Sequence, residues 1–198
     1  MDRPLIEISH AGADRLHALA PVFGRAFIDD PMMCWSVAGR QDPIERFTCC
    51  FAYFLEAALE LDLVLEASTA RGAAVWIPPG RCEVWEEHPW NQPRILALAD
   101  DGGNRYDSFW SWIDMRSPDE PLWQLDSIAV DPMVQGRGYG GALIQAGLAQ
   151  ASADGIGAFL STGTERNVSI YSKYGFRVVE HIDAPDDGPH VWFMRWDP

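Results

Sequence analysis

The chain has 198 residues, 47% of them apolar and 22% charged, with nine Trp and a formal net charge of −14. That size and composition suit one folded domain with a sizeable core, and the acidic balance disfavours nucleic acid and anionic membranes while attracting cationic ligands, although a role in solubility alone accounts for it equally well. The start, Met1 to Leu5, lacks an apolar leader, no run nears the ~20 apolar residues of a membrane span, and Cys34, Cys49, Cys50 and Cys82 have neither C-x-x-C pairing nor His at metal-ligand spacing, so a cytoplasmic protein with buried, reduced thiols and no metal is expected.

Leu5-Ile6-Glu7-Ile8 alternates as a short strand, and Leu16, Leu19, Phe23 and Phe27 recur at helical spacing over Asp14 to Phe27, with a kink expected at Pro21. Asp42-Pro43-Ile44-Glu45 opens a second helix with an acidic N-cap, Pro at the first helical position and Glu three residues after the cap; Ile44, Phe47, Phe51, Phe54, Leu55 and Ala58 form its expected buried face. Leu61 to Ala67 and Ala73 to Ile77 read as a hairpin turning at Arg71-Gly72 and stopped by Pro78-Pro79-Gly80. Residues 81–121, rich in Trp, Asp, Gly and Pro with helical fragments over Arg94 to Ala99 and Tyr106 to Ile113, read as an insertion within a single domain spanning 1–198. From Trp123 the pattern is strand (to Val130), glycine-rich loop, helix (to Ala151), strand (Ala158 to Ser161), short helix near Tyr171, then strands Phe176 to Ile182 and Val191 to Trp196. A strand, a crossover helix and a second strand make a parallel βαβ unit.

The loop Gln135-Gly136-Arg137-Gly138-Tyr139-Gly140-Gly141 runs straight into the helix Ala142-Leu143-Ile144. Glycines let backbone approach a ligand closely, and a helix start offers unpaired N–H groups at the positive end of its dipole, which together make a phosphate cradle. Arg137 serves either phosphate contact or solvation. The same residues spell G-x-G-x-x-G, but a dinucleotide fold would place the glycines directly after its first strand and follow them with further alternating units. Here an Asp131-Pro132 turn intervenes and the chain ends in an antiparallel pair.

Val130-Asp131-Pro132-Met133-Val134-Gln135-Gly136-Arg137-Gly138-Tyr139-Gly140 and, further on, Asn167-Val168-Ser169-Ile170-Tyr171-Ser172-Lys173-Tyr174-Gly175-Phe176 together resemble the paired motifs of GNAT superfamily N-acetyltransferases over Trp123 to Trp196. A looser resemblance to the puromycin N-acetyltransferase branch lies in Arg25-Ala26-Phe27-Ile28-Asp29-Asp30-Pro31, Ile44-Glu45-Arg46 and Ala74-Val75-Trp76. The resemblance implies an α/β fold: a mixed, mostly antiparallel sheet splayed at a parallel strand pair, with helices on both faces. It implies acetyl-CoA as co-substrate, its pantetheine arm on the backbone of Ile128, Ala129 and Val130, and its pyrophosphate on main-chain N–H groups of Gln135 to Gly141.

It also implies that Tyr171 reaches the cofactor sulfur, where a phenol protonated at neutral pH would supply the departing thiolate with a proton; simple core packing is the competing role. Asn167, one turn earlier, either touches coenzyme A or caps its helix, since many family members carry an Asn where this chain has Thr164. Many members carry a basic carboxylate at the position aligned with Gln124, which cannot take a proton. Asp126, two residues on and so on the same strand face, stands in as candidate base, against a water-relayed base or a purely structural carboxylate.

The acceptor wall is implied to come from the first helices and last hairpin, among them Phe27, Asp29, Asp30, Trp35, Trp76, His190 and Trp192. Aromatic and acidic residues there suit a small cationic amine, and His190 is a further candidate base. The resulting expectation is direct acetyl transfer from acetyl-CoA to a primary amine within a ternary complex, by a monomer or homodimer. A non-catalytic acyl-CoA-binding sensor is the alternative.

Overall fold

The computed structural model describes residues 6–81 and 92–198. Seven strands, β1 (Ile8–His10), β2 (Val64–Ala67), β3 (Gly72–Ile77), β4 (Trp123–Val130), β5 (Ala158–Thr162), β6 (Arg177–Asp183) and β7 (His190–Trp196), form one sheet in the order β1-β2-β3-β4-β5-β7-β6. Every neighbouring pair is antiparallel except β4–β5, so the sheet is mixed and mostly antiparallel as expected. The helices among the described residues are α1 (Leu16–Ala26), α2 (Pro31–Ser36), α3 (Pro43–Glu60), α4 (Gln92–Leu96), α5 (Asn104–Asp114), α6 (Tyr139–Asp154) and α7 (Glu165–Ser172).

The sheet has two covered faces. On the first, Leu19 and Phe23 of α1 and Phe47, Phe51 and Leu55 of α3 bury against Val64, Val75, Ile77 and Ala129. Further along that face, Met32 of α2 and Phe109, Trp112 and Ile113 of α5 pack on Phe159, Val191 and Phe193. On the second face Leu143, Ile144, Leu148 and Ala151 of α6, with Tyr171 of α7, cover Leu65, Ala74, Trp76, Leu125, Leu160 and Met194. The alternation of side chains along each strand divides the two sets, as pleating requires.

Local chemistry sets the helix ends. Asp42 accepts from the N–H groups of Ile44 and Glu45 at 3.0 and 3.3 Å, with Pro43 at the first helical position. Asp30-Pro31 repeats that signature at the start of α2, where Asp30 accepts from Met33 N–H at 2.9 Å. The helix α2 has no counterpart in the sequence reading because its six residues are too few for periodicity to register.

Other expectations shift. The first strand begins at Ile8 rather than Leu5, which lies outside the described residues, and α1 continues through Pro21, preceded by a 3-10 turn over Ala13–Arg15. Ile44, in the first turn of α3, is 40% exposed and so leaves the predicted buried face. Of the thiols expected to be buried, Cys50 is buried, Cys34 and Cys49 are exposed, and Cys82 lies outside the described residues. Within the predicted insertion, residues 82–91 lie outside the described residues, and α4 and α5 account for the two helical fragments. Among the described residues no helix is long and apolar enough to cross a membrane.

Candidate functional site

Two features of β4 create the site. Its parallel pairing with β5 is confined to Trp123↔Ala158 and Gln124↔Phe159, so beyond Gln124 the strands splay and the β5-facing backbone of Leu125 to Val130 is left without a strand partner. Its register against β3 slips at Asp126: Val75 faces Ser127 and Trp76 faces Leu125, so Asp126 is the extra residue of a β-bulge. A bulge re-aims the side chain it carries. Trp123 and Leu125 share the α6 face, so Asp126 keeps the side of Gln124, and the two-residue alternation breaks only beyond Asp126, where Ile128 rejoins the face of Leu125.

At the end of β4 the chain turns into the cradle. Asp131 accepts from Met133 N–H at 2.9 Å, capping the 3-10 turn Pro132–Val134, and is clamped by the Arg25 guanidinium at 2.7 Å. The Met133 hydrogen bond, aided by Arg25, holds its carboxyl below the usual range. Gly136 and Gly138 take φ of 76° and 99°, a region that glycine enters without strain, and Gly138 is the N-cap of α6 with no side-chain cap bond. Among the described residues, the N–H groups of Gln135, Gly136, Gly138, Tyr139, Gly140 and Gly141 donate to no protein acceptor. That of Arg137 is taken by Val134 O at 3.3 Å, so it leaves the expected donor set. Six unpaired donors within seven residues leading into a helix start suit an anion, and their chemistry fits a diphosphate. The Gln135 side chain donates to Val130 O at 3.2 Å and finishes the strand end.

The slot above the cradle is lined by β4. Ile128 and Val130 lean towards the α6 face, Ala129 is buried beneath α1, and Ser127 Oγ is buried without a hydrogen-bond partner. An orphaned hydroxyl beside unpaired strand backbone is the polar lining that an extended amide-bearing arm would satisfy.

Tyr171 lies in the last turn of α7, 8% exposed, with its ring edge-on to Phe176 at 6.0 Å. Its hydroxyl makes no protein hydrogen bond and is not sealed from solvent. Burial, then the negative charge of Asp30, pushes its pKa above the ordinary phenol value, so the phenol stays a proton donor. Thr164 caps α7, accepting from Asn167 N–H at 3.2 Å, which corrects the capping role offered to Asn167. The Asn167 side chain donates to Thr162 Oγ1 at 3.1 Å.

Asp126 is half-buried, and burial raises its carboxyl to about 7. The neighbouring Ser127 hydroxyl opposes the rise without reaching hydrogen-bond geometry, and the charge of Asp114 on α5 adds to it. Tyr106 of α5 lies within electrostatic reach of Asp126 and is itself pushed well up, chiefly by burial. Asp126 thus belongs to the α1–α5 side of the sheet, across the splay from the α7 helix that carries Tyr171.

The predicted acceptor wall divides. Phe27 packs between Phe23 and Phe51, with ring centroids 6.1 and 4.6 Å away. Asp30 caps α2, raised in pKa by burial, and acts electrostatically on Tyr171. Trp35 packs on Phe109 at 5.7 Å with the Arg105 guanidinium 6.0 Å over its ring. Those three belong to the face that also carries Asp126.

Trp76 does not: it is 2% exposed beneath α6, where Gly147 is bare because an added Cβ would meet the indole at 2.0 Å. His190 and Trp192 alternate with Val191 and Phe193, and it is the latter pair that packs with Met32 and Trp112. His190 instead stacks edgewise on Trp192 at 4.2 Å and pairs with Asp183 at 2.6 Å on the opposite face. Strand parity places both Trp76 and His190 on the face opposite Asp126.

Three residues that sequence reasoning missed complete the face: Tyr106 and Asp114, already named, and Gly163. A Cβ on Gly163 would stand 2.8 Å from Pro31 Cγ and 2.9 Å from Met32 Cγ, so α2 begins directly on the β5–α7 corner. A repeat of the Asp-Pro capping pair at Asp30-Pro31 was the available signal for α2.

Comparison with known proteins identifies the family. The model of the acetyltransferase (GNAT) family matches residues 67–176. An uncharacterised N-acetyltransferase of Schizosaccharomyces pombe is 25% identical over 178 residues, covering 84% of this chain and 72% of that one. Among solved structures, a Corynebacterium glutamicum acetyltransferase related to histone acetyltransferase HPA2 superimposes with a TM-score of 0.70 at 20% identity, covering 98% of this chain and 96% of the other. The Drosophila melanogaster polyamine N-acetyltransferase gives a TM-score of 0.69 at 13% identity, covering 98% and 100%. With the family model spanning more than half its length, the chain belongs to the GNAT acetyltransferase family and is an acyl-CoA N-acyltransferase.

Proposed function

We propose that the protein transfers the acetyl group of acetyl-CoA to the primary amine of a small cationic molecule, by direct attack within one ternary complex. The observation that carries the reading is the splay itself, with a half-buried carboxyl raised to about 7 on one side and an unpartnered, solvent-reaching phenol on the other. Acetyl-CoA supplies the activated thioester. The cradle N–H groups hold its diphosphate, and the open backbone of Ile128 to Val130 aligns the arm that leads to the sulfur. Asp126 accepts a proton from the incoming ammonium, directly or through water, freeing the amine to attack; Tyr171 gives a proton to the thiolate as the C–S bond breaks and regains the one the new amide nitrogen sheds; a strand N–H near Val130 faces the oxygen where negative charge develops.

Asp30, Trp35 and Phe27 supply the acidic and aromatic contacts for a cationic acceptor, and the acidity of the whole chain draws such a molecule in. The polyamine substrate class of the Drosophila relative and the looser pattern of the puromycin-modifying branch both point to small amines. We read residues 1–198 as one catalytic domain of a cytoplasmic protein, with 81–121 as an insertion in it.

A thiol-release screen with acetyl-CoA against polyamines, agmatine, arylalkylamines, aminonucleoside antibiotics, amino acids and peptides tests the reading. Small cationic amines are expected to accelerate thiol release. Tyr171→Phe should lower kcat about 100-fold or more while leaving acetyl-CoA affinity unchanged. Acetyl-CoA binding with no turnover of any amine would reject the enzyme reading in favour of a non-catalytic sensor.

A further inference from the structure

Gly141, in the first turn of α6, has an ordinary helical φ, so its missing side chain answers a need for space rather than for backbone freedom. The space is taken by Tyr174: a Cβ on Gly141 would lie 2.0 Å from the Tyr174 hydroxyl oxygen and 3.0 Å from the ring carbon that bears it. The phenol, sent from the turn that ends α7, is thus laid across the start of α6. There its hydroxyl makes no protein hydrogen bond and keeps access to solvent. The N–H groups of Tyr139, Gly140 and Gly141 in that first turn are unpaired as well.

A phenol with no partner, lying against a helix start whose N–H groups have no acceptors, is suited to an oxygen-rich anion. We propose that Tyr174 is a cofactor-binding residue whose hydroxyl donates to an oxygen of the diphosphate held in the cradle, and that Gly141 is bare to admit it. The inference rests on the acetyl-CoA reading above. It gives the two tyrosines of Tyr171-Ser172-Lys173-Tyr174 separate duties, one toward the thioester and one toward the diphosphate.

Calorimetric titration of the full chain with coenzyme A, dephospho-coenzyme A and pantetheine tests the assignment without any turnover. Tyr174→Phe should weaken coenzyme A and dephospho-coenzyme A alike, by roughly tenfold for a lost bond to a charged group, and leave pantetheine unchanged. Gly141→Ala should push the ring aside and give the same selective loss, with no further loss in the double variant. Unchanged coenzyme A affinity in Tyr174→Phe, or an equal loss for pantetheine, overturns the proposal. A loss confined to coenzyme A overturns the diphosphate assignment, because only the 3′-phosphate distinguishes it from dephospho-coenzyme A. Should the unaltered chain bind no coenzyme A at all, the acetyl-CoA reading itself fails, and this inference with it.

Discussion

The two sides of the splayed sheet are built from different materials. The proposed cofactor side is backbone: six unpaired N–H groups and one open strand edge, contributed by the contiguous stretch from Leu125 to Gly141. The proposed acceptor side is side chains: Asp30, Trp35, Tyr106, Asp114 and Asp126, drawn from α2, α5 and β4, which come together only when the chain has folded. A backbone site is written in glycines at fixed spacing and tolerates any side chain that leaves the turn alone. A side-chain site depends on packing between distant elements, and so it can be altered without disturbing the cofactor.

The largest break in that contrast is expected at Asp126, the one residue of the acceptor side that the contiguous stretch also contains. Asp126→Asn should lower kcat/KM about 100-fold with little change in acetyl-CoA affinity. In the unaltered enzyme, kcat/KM should rise with pH through about 7, as the carboxyl loses its proton and becomes a base. Stability should run the other way. The folded carboxyl is raised above its ordinary 3.8, so between pH 4 and about 7 the unfolded chain ionises first, and folding stability falls as pH rises through that window. The shift is worth at most about 4 kcal/mol, less whatever solvent still reaches the half-buried group. Above pH 7, Asp126→Asn should therefore be far less active yet more resistant to urea than the parent. An equally stable variant would mean that the carboxyl is well solvated.

On the cofactor side, Gly138→Ala forces a side chain into φ of 99° at the N-cap of α6. Strain of about 1–2 kcal/mol should appear both as lost stability and as roughly tenfold weaker acetyl-CoA binding, with the amine KM untouched. The backbone site is legible in the sequence because its requirements are local: a glycine, a helix start and a strand end occupy adjacent positions. The acceptor side is legible there only as residue types. Trp76 and His190 have the right chemistry for a cation, but strand parity turns one under α6 and the other toward His181, and parity is fixed by a bulge and a register that composition does not carry. Tyr106, with no motif around it, enters the proposed site only because folding brings it within electrostatic reach of Asp126.

Gly163→Ala probes the seam between the two sides. The added methyl would press on Pro31 and Met32 and lift the start of α2, at an overpacking cost of about 1–3 kcal/mol. Asp30 rides on that start. Amine KM should rise severalfold while the coenzyme A dissociation constant holds, and steady-state kinetics with each substrate varied in turn would separate the two. Equal changes in both would show that the β5–α7 corner serves the cofactor as much as the acceptor.

The smallest effect is expected where a side chain supports the backbone site from outside. Arg25, at the end of α1, holds Asp131 at 2.7 Å, and its side chain is 40% exposed against 15% for Asp131. An ion pair open to water on one side contributes no more than about 1 kcal/mol, and Asp131 keeps its bond to Met133 N–H when the arginine is gone. Arg25→Gln should accordingly weaken coenzyme A binding less than about fivefold. The difference should shrink further as salt is raised, because an exposed charge is screened over about 10 Å at 0.1 M ionic strength. A larger loss that persisted at high salt would mean that the cradle is not self-supporting, and that α1, an acceptor-side helix, holds the cofactor loop in shape.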